Sequence, residues 1–299
     1  MTTPLDRAPG ELSAGRELYL KREDAHEIGA FKWRGAFPTL RLFAGRGATT
    51  VVTASTGNHG AATAWASRKL GLRAIVFVPE RASETKIARI EALGAELRRE
   101  GDDFDDTKER AAAFAAEHGL PHFEDGLEPA QYEGYGEIGR EIVDQLGRSP
   151  GTVIVPLGNG ALIGGIGEAL ADGPTEVVGV VAKDAPVMAD SFEAGSVVSS
   201  TSGDTIADGL AVRVAIPYAV DRIQHVVHRM VRVSERELAG AIGRLADAGI
   251  RAEASAAASL AGLDHLESPA EPIVLVITGR NIDAELFERA RNTPESFRD

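Results

Sequence analysis

Short apolar segments alternate with longer segments of helical periodicity along nearly the whole sequence. The apolar segments predicted as strands are residues 18–21, 49–53, 73–78, 152–155, 176–181, 225–233 and 272–277. The segments predicted as helices are residues 32–43, 58–70, 83–93, 106–118, 134–146, 162–170, 235–248, 255–267 and 284–291. Helical connections between strands favour parallel pairing, with helices on both faces of a sheet. The sequence therefore predicts the α/β fold class, with two doubly wound, mostly parallel-sheet domains.

The segment from Gly29 to Ala36, GAFKWRGA, places Lys32 at the start of a predicted helix. Burial disfavours the ammonium form of a lysine, and an uncharged amine can attack an aldehyde to form a Schiff base. Lys32 is therefore a candidate anchor for an aldehyde cofactor. Taken alone, the segment fits a solvated lysine on the first turn of a helix better. Three further segments favour the anchor.

Two of these segments are turns between a predicted strand and a predicted helix. The first consists of Ser55, Thr56, Gly57, Asn58 and His59. The second consists of Gly158, Asn159, Gly160, Ala161 and Leu162. The first N–H groups of a helix have no intrahelical partner and attract anions, so such turns bind carboxylates or phosphates. The alternative for each turn is an ordinary helix N-cap with a tight glycine turn.

The third segment follows the predicted strand 272–277. Thr278 comes directly after that strand and brings a hydroxyl to its carboxyl end. Open α/β sheets bind their ligands at this end of their strands. Thr278 is therefore another candidate site residue.

Several segments, in this order along the chain, resemble the fold-type II pyridoxal-phosphate enzymes, and among them the threonine/serine dehydratase family. The matching segments are LYLKRED at 18–24, GAFKWRGA at 29–36, EGYGEI at 133–138, GDTIADGL at 203–210 and EASAA at 253–257, together with the two turns and Thr278. The resemblance covers nearly the whole chain. Several motifs in register are far more specific than any single glycine-rich turn.

The resemblance implies a role for each candidate residue. Lys32 would hold pyridoxal 5'-phosphate as a Schiff base and act as the base at the substrate Cα. Asn58 would bond the phenolic oxygen of the cofactor, and Thr278 would face its pyridine nitrogen. The cofactor phosphate would be bound by backbone N–H groups of Gly158, Asn159, Gly160, Ala161 and Leu162. The substrate carboxylate would be bound by Ser55, Thr56, Gly57, Asn58 and His59.

The resemblance also implies how the chain is divided. Residues 1–44 and 129–299 would form a large cofactor-binding domain, and residues 45–128 a smaller domain inserted into it. The cofactor would lie in the cleft between the two domains, as in the tryptophan synthase β-like fold of type II. Most relatives are dimers, so a homodimer is expected by analogy.

The implied activity is that of a pyridoxal-phosphate-dependent ammonia-lyase, which converts a β-hydroxy amino acid such as L-threonine or L-serine to a 2-oxo acid and ammonia. Thr56 and the segment 253–257 are also similar to threonine synthase, so a threonine-synthase-like or β-replacement enzyme is the alternative. A non-catalytic amino-acid or cofactor sensor is a further hypothesis. Racemisation is expected at most as a side reaction, because Thr56 is a poor candidate for a second acid on the opposite face.

Some relatives carry a divalent-cation site on a glutamate after the strand that here is predicted at 176–181. Ala182 and Lys183 stand at that point, so no metal site is expected. Asp184, Asp190 and Glu193 lie nearby and are interpreted as solvated surface acids. The chain ends soon after Asn281, and by comparison with the biosynthetic enzymes we expect no feedback inhibition by isoleucine.

Composition limits the partners. The 45 acidic and 32 basic residues give a net charge of -13, which opposes binding to nucleic acid or to an anionic membrane surface. The sequence has no cysteine, no apolar segment of membrane-spanning length and no signal-peptide pattern at its start. These features favour a cytoplasmic enzyme that acts on a small-molecule amino-acid substrate.

Overall fold

The computed structural model describes residues 1–199 and 203–299 and contains two compact units. Unit 1 is formed by residues 1–31 and 135–299, and unit 2 by residues 32–134. Each unit has a sheet of its own. The predicted assignment of residues 45–128 to an inserted domain, with residues 1–44 and 129–299 in the cofactor-binding domain, stays a prediction.

The strands of the described chain are β1 (Leu5–Arg7), β2 (Leu18–Arg22), β3 (Thr50–Ala54), β4 (Arg73–Val78), β5 (Glu96–Arg99), β6 (Thr152–Pro156), β7 (Glu176–Ala182), β8 (Arg229–Val233) and β9 (Ile273–Ile277). Its helices are α1 (Gly10–Ser13), α2 (Trp33–Gly45), α3 (Asn58–Leu70), α4 (Glu84–Ala92), α5 (Phe104–Glu117), α6 (Pro129–Leu146), α7 (Ala161–Leu170), α8 (Val187–Ala194), α9 (Pro217–Val226), α10 (Glu235–Asp247), α11 (Ala254–Leu263) and α12 (Ala284–Asn292). Short 3-10 turns lie at Glu23–Ala25, Asp208–Leu210 and Pro294–Ser296.

The sheet of unit 1 has the strand order β1-β2-β9-β6-β7-β8. β1 runs antiparallel to β2, and every other neighbouring pair is parallel. The chain passes from β6 outward through β7 to β8 and then returns to β9 on the other side of β6. The carboxyl ends of β6 and β9 therefore lie side by side where the strand order reverses, which is where open parallel sheets bind ligands.

The central strands of this sheet are apolar along their whole length because both faces are covered by helices. Every residue of β6 and β9 is buried. The alanine-rich helix α11 is buried on all sides and contacts β6, β7, β8 and β9. Outside it, α10 begins with a capping box in which Ser234 accepts a hydrogen bond from the Glu237 N–H and the Glu237 carboxylate accepts one from the Ser234 N–H.

The sheet of unit 2 has the order β3-β4-β5, and its strands are parallel. Helices α3 and α5 pack on β3 and β4. Val52, Ile75, Phe77, Ala111 and Ala115 form a buried cluster in this unit. The α/β class with mostly parallel sheets, predicted from the alternation of elements, is confirmed.

The predicted strand at 225–233 is wrong in its first part. His225 lies in α9, and only Arg229–Val233 forms a strand. Pro217 stands at the first turn of α9, and the buried side chains of α9 recur with helical spacing. The predicted helix 255–267 also ends early, since α11 stops at Leu263. The short elements β1, β5, α1, α8 and α9 were not predicted.

Candidate active site

Lys32 lies at the N-cap of α2, directly before the first helical residue. Only 15% of its side chain is exposed, so it is not a solvated surface lysine. Its Nζ lies 2.5 Å from Oδ2 of Asp125 and forms an ion pair with it. Both residues belong to unit 2.

The backbone ahead of Lys32 is held by the chain that follows β9. The Phe31 N–H donates to the Thr278 carbonyl at 2.9 Å, and the Asn281 side-chain amide donates to the Ile28 carbonyl at 3.0 Å. Gly29 has φ +58, and a Cβ there would lie 2.8 Å from Oδ1 of Asn281. Gly29 is therefore needed for both its backbone conformation and its close packing.

Asp125 joins two predicted site residues of unit 2. Its Oδ1 lies 3.6 Å from Nδ1 of His59, and its Oδ2 bonds Lys32. The Gln131 amide donates to Oδ1 of Asp125 at 3.1 Å, while the Gln131 carbonyl oxygen accepts from the Gly126 N–H at 2.9 Å. The Asp125 carboxylate is thus placed by hydrogen bonds as well as by its ion pair.

The electrostatics of this cluster follow from partial burial beside opposite charge. Burial acts to raise the pKa of the Asp125 carboxyl, but the charge of Lys32, the His59 ring and the hydrogen bonds from Lys32 and Gln131 together hold that pKa well below its usual range. Burial lowers the pKa of His59, Asp125 opposes this effect, and Lys32 adds to it. Asp125 is therefore an anion at neutral pH, and the buried His59 ring is uncharged.

The turn predicted to bind the substrate carboxylate runs from the end of β3 to the start of α3. Gly57 is the N-cap of α3, and its N–H donates to the Ser55 hydroxyl at 3.2 Å. Asn58 and His59 are the first two helical residues. Thr56 and Asn58 are partly buried, and Gly57 is exposed. The turn is open at its tip, as an anion-binding turn has to be.

The side chain of His59 points into unit 2 rather than away from it. It is buried, and its Nε2 lies 3.1 Å from Oγ1 of Thr53 and 3.1 Å from the carbonyl oxygen of Phe123. These contacts fix the ring against the sheet. They leave the backbone of the turn as the part that can face an anion.

The predicted phosphate turn lies between β6 and α7 in unit 1. Gly160 is the N-cap of α7 with φ +90, and Ala161 and Leu162 begin the helix. The Asn159 side-chain oxygen accepts from the Ala161 N–H at 3.1 Å. A Cβ on Gly158 would collide with the carbonyl oxygen of Gly209, so only glycine fits there. The N-terminus of α7 is thus open to close approach by an anion.

A second loop supports this turn from outside. The Gly209 N–H donates to the Ser255 hydroxyl at 3.0 Å, and the carboxylate of Glu235 accepts from the Ile206 N–H at 2.7 Å. Ser255 lies in α11 and Glu235 begins α10. The segment 203–210, which the sequence singled out as a motif, therefore packs behind Gly158.

Thr278 lies directly after β9, at the strand end beside that of β6. Its side chain is 2% exposed, and among the residues that the structure describes its Oγ1 has no hydrogen-bond partner. The carboxylate of Glu253 lies 2.7 Å from the position that a Cβ on Gly279 would take. A buried hydroxyl of this kind is suited to donate to a ligand that brings its own acceptor.

Sequence reasoning missed Asp125 and Gln131. Asp125 is 93 residues from Lys32 along the chain, so no local pattern joins them. The structure brings Lys32, His59 and the 55–59 turn together in unit 2. It brings the 158–162 turn and Thr278 together in unit 1.

Within residues 1–199 and 203–299, no group of three or more His, Cys, Asp and Glu side chains is placed to hold a metal ion. Asp190 and Glu193 pair with Arg232 at 2.8 and 2.7 Å, and Asp184 lies 3.5 Å from Arg298. No helix in the described part of the chain is both long and apolar enough to cross a bilayer.

The residues present fit pyridoxal phosphate. The cofactor needs an amine for its aldehyde, an anion-binding turn for its phosphate and a partner for its pyridine nitrogen. Lys32 supplies the amine, and the glycine turn at the N-terminus of α7 supplies the anion site. The unsatisfied Thr278 hydroxyl supplies an uncharged donor.

The parallel-sheet fold and these groups define a pyridoxal-phosphate-binding enzyme. Comparison with known families agrees, because residues 1–279 match the model described as "Pyridoxal-phosphate dependent enzyme". The chain therefore belongs to this family, and the predicted cofactor and the predicted fold type are confirmed.

Named relatives point to one branch of the family. L-threonine ammonia-lyase of Thermotoga maritima is 33% identical over 283 residues, which cover 93% of this chain and 70% of that protein. The chloroplastic biosynthetic threonine dehydratase 2 of Solanum lycopersicum is 31% identical over 90% of this chain but only 46% of its own length, so the chain spans about half of that relative. The structure of the processed form of tomato threonine deaminase isoform 2 superposes with a TM-score of 0.92 at 30% identity, covering 97% of this chain and 87% of that one. The predicted resemblance to threonine/serine dehydratases, and with it the prediction of a pyridoxal-phosphate-dependent lyase, is confirmed.

Proposed function

We propose that this protein is an ammonia-lyase that converts L-threonine or L-serine to a 2-oxo acid and ammonia. The proposal is supported by the relatives named threonine ammonia-lyase and threonine dehydratase, which match over about nine tenths of the chain. Pyridoxal phosphate, when bound, withdraws electrons from the substrate Cα and so promotes loss of the Cα proton and of a β-substituent.

The observation that carries the proposal is the uncharged partner offered by Thr278. Its buried hydroxyl would offer the pyridine nitrogen an uncharged partner, which does not hold a proton on that nitrogen as a bonded carboxylate would. A ring that stays largely unprotonated withdraws electrons less strongly. This favours elimination of a β-hydroxyl over reactions that need a long-lived carbanion.

Lys32 would hold the cofactor covalently and, once the substrate amino group has taken its place, would accept the Cα proton. Asp125 lies 2.5 Å from Nζ of Lys32 and would stabilise the ammonium that results. The backbone N–H groups of residues 158–162 would bind the phosphate, with the dipole of α7 favouring its charge.

In the same proposal the 55–59 turn would bind the substrate carboxylate at the N-terminus of α3. The Asn58 side chain, at the first position of that helix, would bond the phenolic oxygen of the cofactor. His59 would contribute its backbone to the turn, because its ring is engaged with Thr53 and Phe123.

The direct test is to incubate the purified holoenzyme with L-threonine or L-serine and to assay 2-oxo acid and ammonia together with the visible spectrum. We expect both products in equal amounts. Lys32→Ala should abolish them, while Lys108→Ala, which removes an exposed lysine paired with Glu124 in the same unit, should leave them unchanged.

Retained deamination by Lys32→Ala would refute the assigned role of the lysine. Release of phosphate from O-phosphohomoserine, without deamination of threonine, would replace the proposal by a threonine-synthase-like reaction. A protein that binds amino acids without any turnover would be a sensor.

We also propose a cytoplasmic homodimer that binds neither nucleic acid nor membranes. The net charge of -13 opposes binding to nucleic acid or to an anionic membrane, and the lack of cysteine fits the reducing cytoplasm. The dimer rests on analogy with the family. Light scattering on the holoenzyme tests the dimer, since a monomeric mass at assay concentration would contradict it.

A further inference from the structure

His59, Asp125 and Lys32 form a row in unit 2 with the carboxylate in the middle. One carboxylate oxygen faces Lys32 Nζ at 2.5 Å, and the other faces His59 Nδ1 at 3.6 Å. His59 is 6% exposed, and the Asp125 side chain is 27% exposed. A single anion therefore lies between two nitrogen groups that can each carry a proton.

The hydrogen bonds of His59 show which nitrogen would take a second proton. The Phe123 carbonyl can only accept, so Nε2, at 3.1 Å from it, carries the ring hydrogen. The Thr53 hydroxyl donates to the same carbonyl at 2.7 Å, so its oxygen also accepts from Nε2 at 3.1 Å. In the neutral ring Nδ1 is then the basic atom, and it points at Asp125.

The charges around His59 decide whether Nδ1 is protonated. Burial is the largest effect and lowers the pKa of His59; Asp125 favours the charged ring, whereas Lys32 and the nearby His122 disfavour it. When Lys32 is charged, Asp125 already has its counter-ion. When Lys32 is uncharged, the main cation opposing His59 is gone and Asp125 needs a partner.

We propose that Asp125 pairs with one cation at a time, and that His59 takes up a proton at Nδ1 whenever Lys32 is in its uncharged form. The N–H bond lost at Lys32 Nζ is balanced by the N–H bond formed at His59 Nδ1, and Asp125 stays ionised throughout. Asp125 and His59 are thus positioning residues, which allow an uncharged lysine to exist beside a carboxylate. This rests on the proposed role of Lys32, since a base at the substrate Cα has to be uncharged before it accepts a proton.

The test follows the His59 ring by nitrogen-detected NMR in cofactor-free protein over a range of pH, with His59→Gln used to assign its signals. Lys32→Met should raise the midpoint of His59 protonation above about pH 7, because a neighbouring cation is removed and Asp125 is left to pair with the ring. Asp125→Asn should lower the midpoint. Lys108→Met, which removes a lysine paired with Glu124, should leave it unchanged.

The opposite signs separate the proposal from a loss of structure. In an unfolded variant the midpoint of His59 protonation would be about pH 6.5, whichever residue had been replaced. A midpoint in Lys32→Met that stays below about pH 7, or that moves the same way in both variants, would overturn the proposal. No substrate or cofactor is present, so the outcome is independent of the lyase assay. If the two shifts are found but no amino acid is deaminated, the proposed function fails. The pairing of Asp125 with either Lys32 or His59 is then still supported.

Discussion

Thr278→Val removes one hydroxyl from unit 1 and keeps the shape of the side chain. The residue is 2% exposed, and its Oγ1 has no partner among the residues that the structure describes. A buried hydroxyl without a hydrogen bond costs about 1–3 kcal/mol. We therefore expect the valine variant to raise the free energy of unfolding of the cofactor-free protein by about 1–3 kcal/mol.

The same change should weaken binding of the cofactor. The lost hydrogen bond to the pyridine nitrogen is worth about 0.5–1.5 kcal/mol, which corresponds to an affinity about 2–10-fold lower. The variant is thus predicted to be more stable without the cofactor and a poorer binder of it. These opposite signs are expected only if Thr278 keeps its hydroxyl for a ligand.

Thr152→Val is the matched control. Thr152 is also buried in the sheet of unit 1, but its hydroxyl donates to the Ala270 carbonyl at 2.9 Å. Its replacement should lower the free energy of unfolding by about 0.5–1.5 kcal/mol, without changing cofactor affinity. Urea denaturation of the cofactor-free proteins and absorbance titration with pyridoxal phosphate measure both quantities. If Thr278→Val is destabilised as much as Thr152→Val, the hydroxyl is already satisfied within the protein and the reasoning is refuted.

Three further predictions concern packing, pH and a buried charge. The Cβ of Gly158→Ala would collide with a backbone carbonyl, so this variant should lower cofactor affinity at least about tenfold in the same titration. The control is Gly240→Ala, in an open position of α10, which should raise the free energy of unfolding by about 0.5–1 kcal/mol. Burial lowers the pKa of His122, so below about pH 6.5 the unfolded chain binds a proton at this residue that the folded chain does not, and the free energy of unfolding falls as the pH falls. His122→Gln should remove up to about 1.4 kcal/mol of this fall per pH unit, as measured by urea denaturation at several pH values. Lys21 is fully buried and pairs with Glu141 at 2.6 Å, so Lys21→Met should lower the free energy of unfolding by about 3–5 kcal/mol. Adding Glu141→Met should restore most of that free energy, and equal stability of the single and double variants would contradict this.

The fold could be predicted where a pattern was long and local. Helix α3 begins and ends where predicted, because Gly57 and Gly71 bound it in the sequence. The strand prediction failed at His225 because alternating apolar residues at the end of α9 continue into β8. The edge strand β5 was missed because its sequence, ELRR, has three charged residues and a single apolar one, which is too few for a strand pattern.

The candidate site divides in the same way. The 158–162 turn and Thr278 could be predicted because each follows a buried strand and lies next to its carboxyl end. Asp125 could not, because its contact with Lys32 depends on how α2 and the loop after His122 pack in unit 2. The contact between the Phe31 N–H and the Thr278 carbonyl likewise joins distant parts of the chain, which no single-sequence pattern records.

The strand order of unit 1 has a consequence for biosynthesis. β9 lies between β2 and β6, yet it is made after every other strand of the sheet. During translation β1-β2 and β6-β7-β8 therefore exist as separate pieces, each with an open apolar edge that can pair with another chain. Only when β9 emerges from the ribosome can the two edges close and Thr278 reach Phe31. The nascent chain is thus most prone to aggregation late in synthesis, and chaperones would be needed most in that interval.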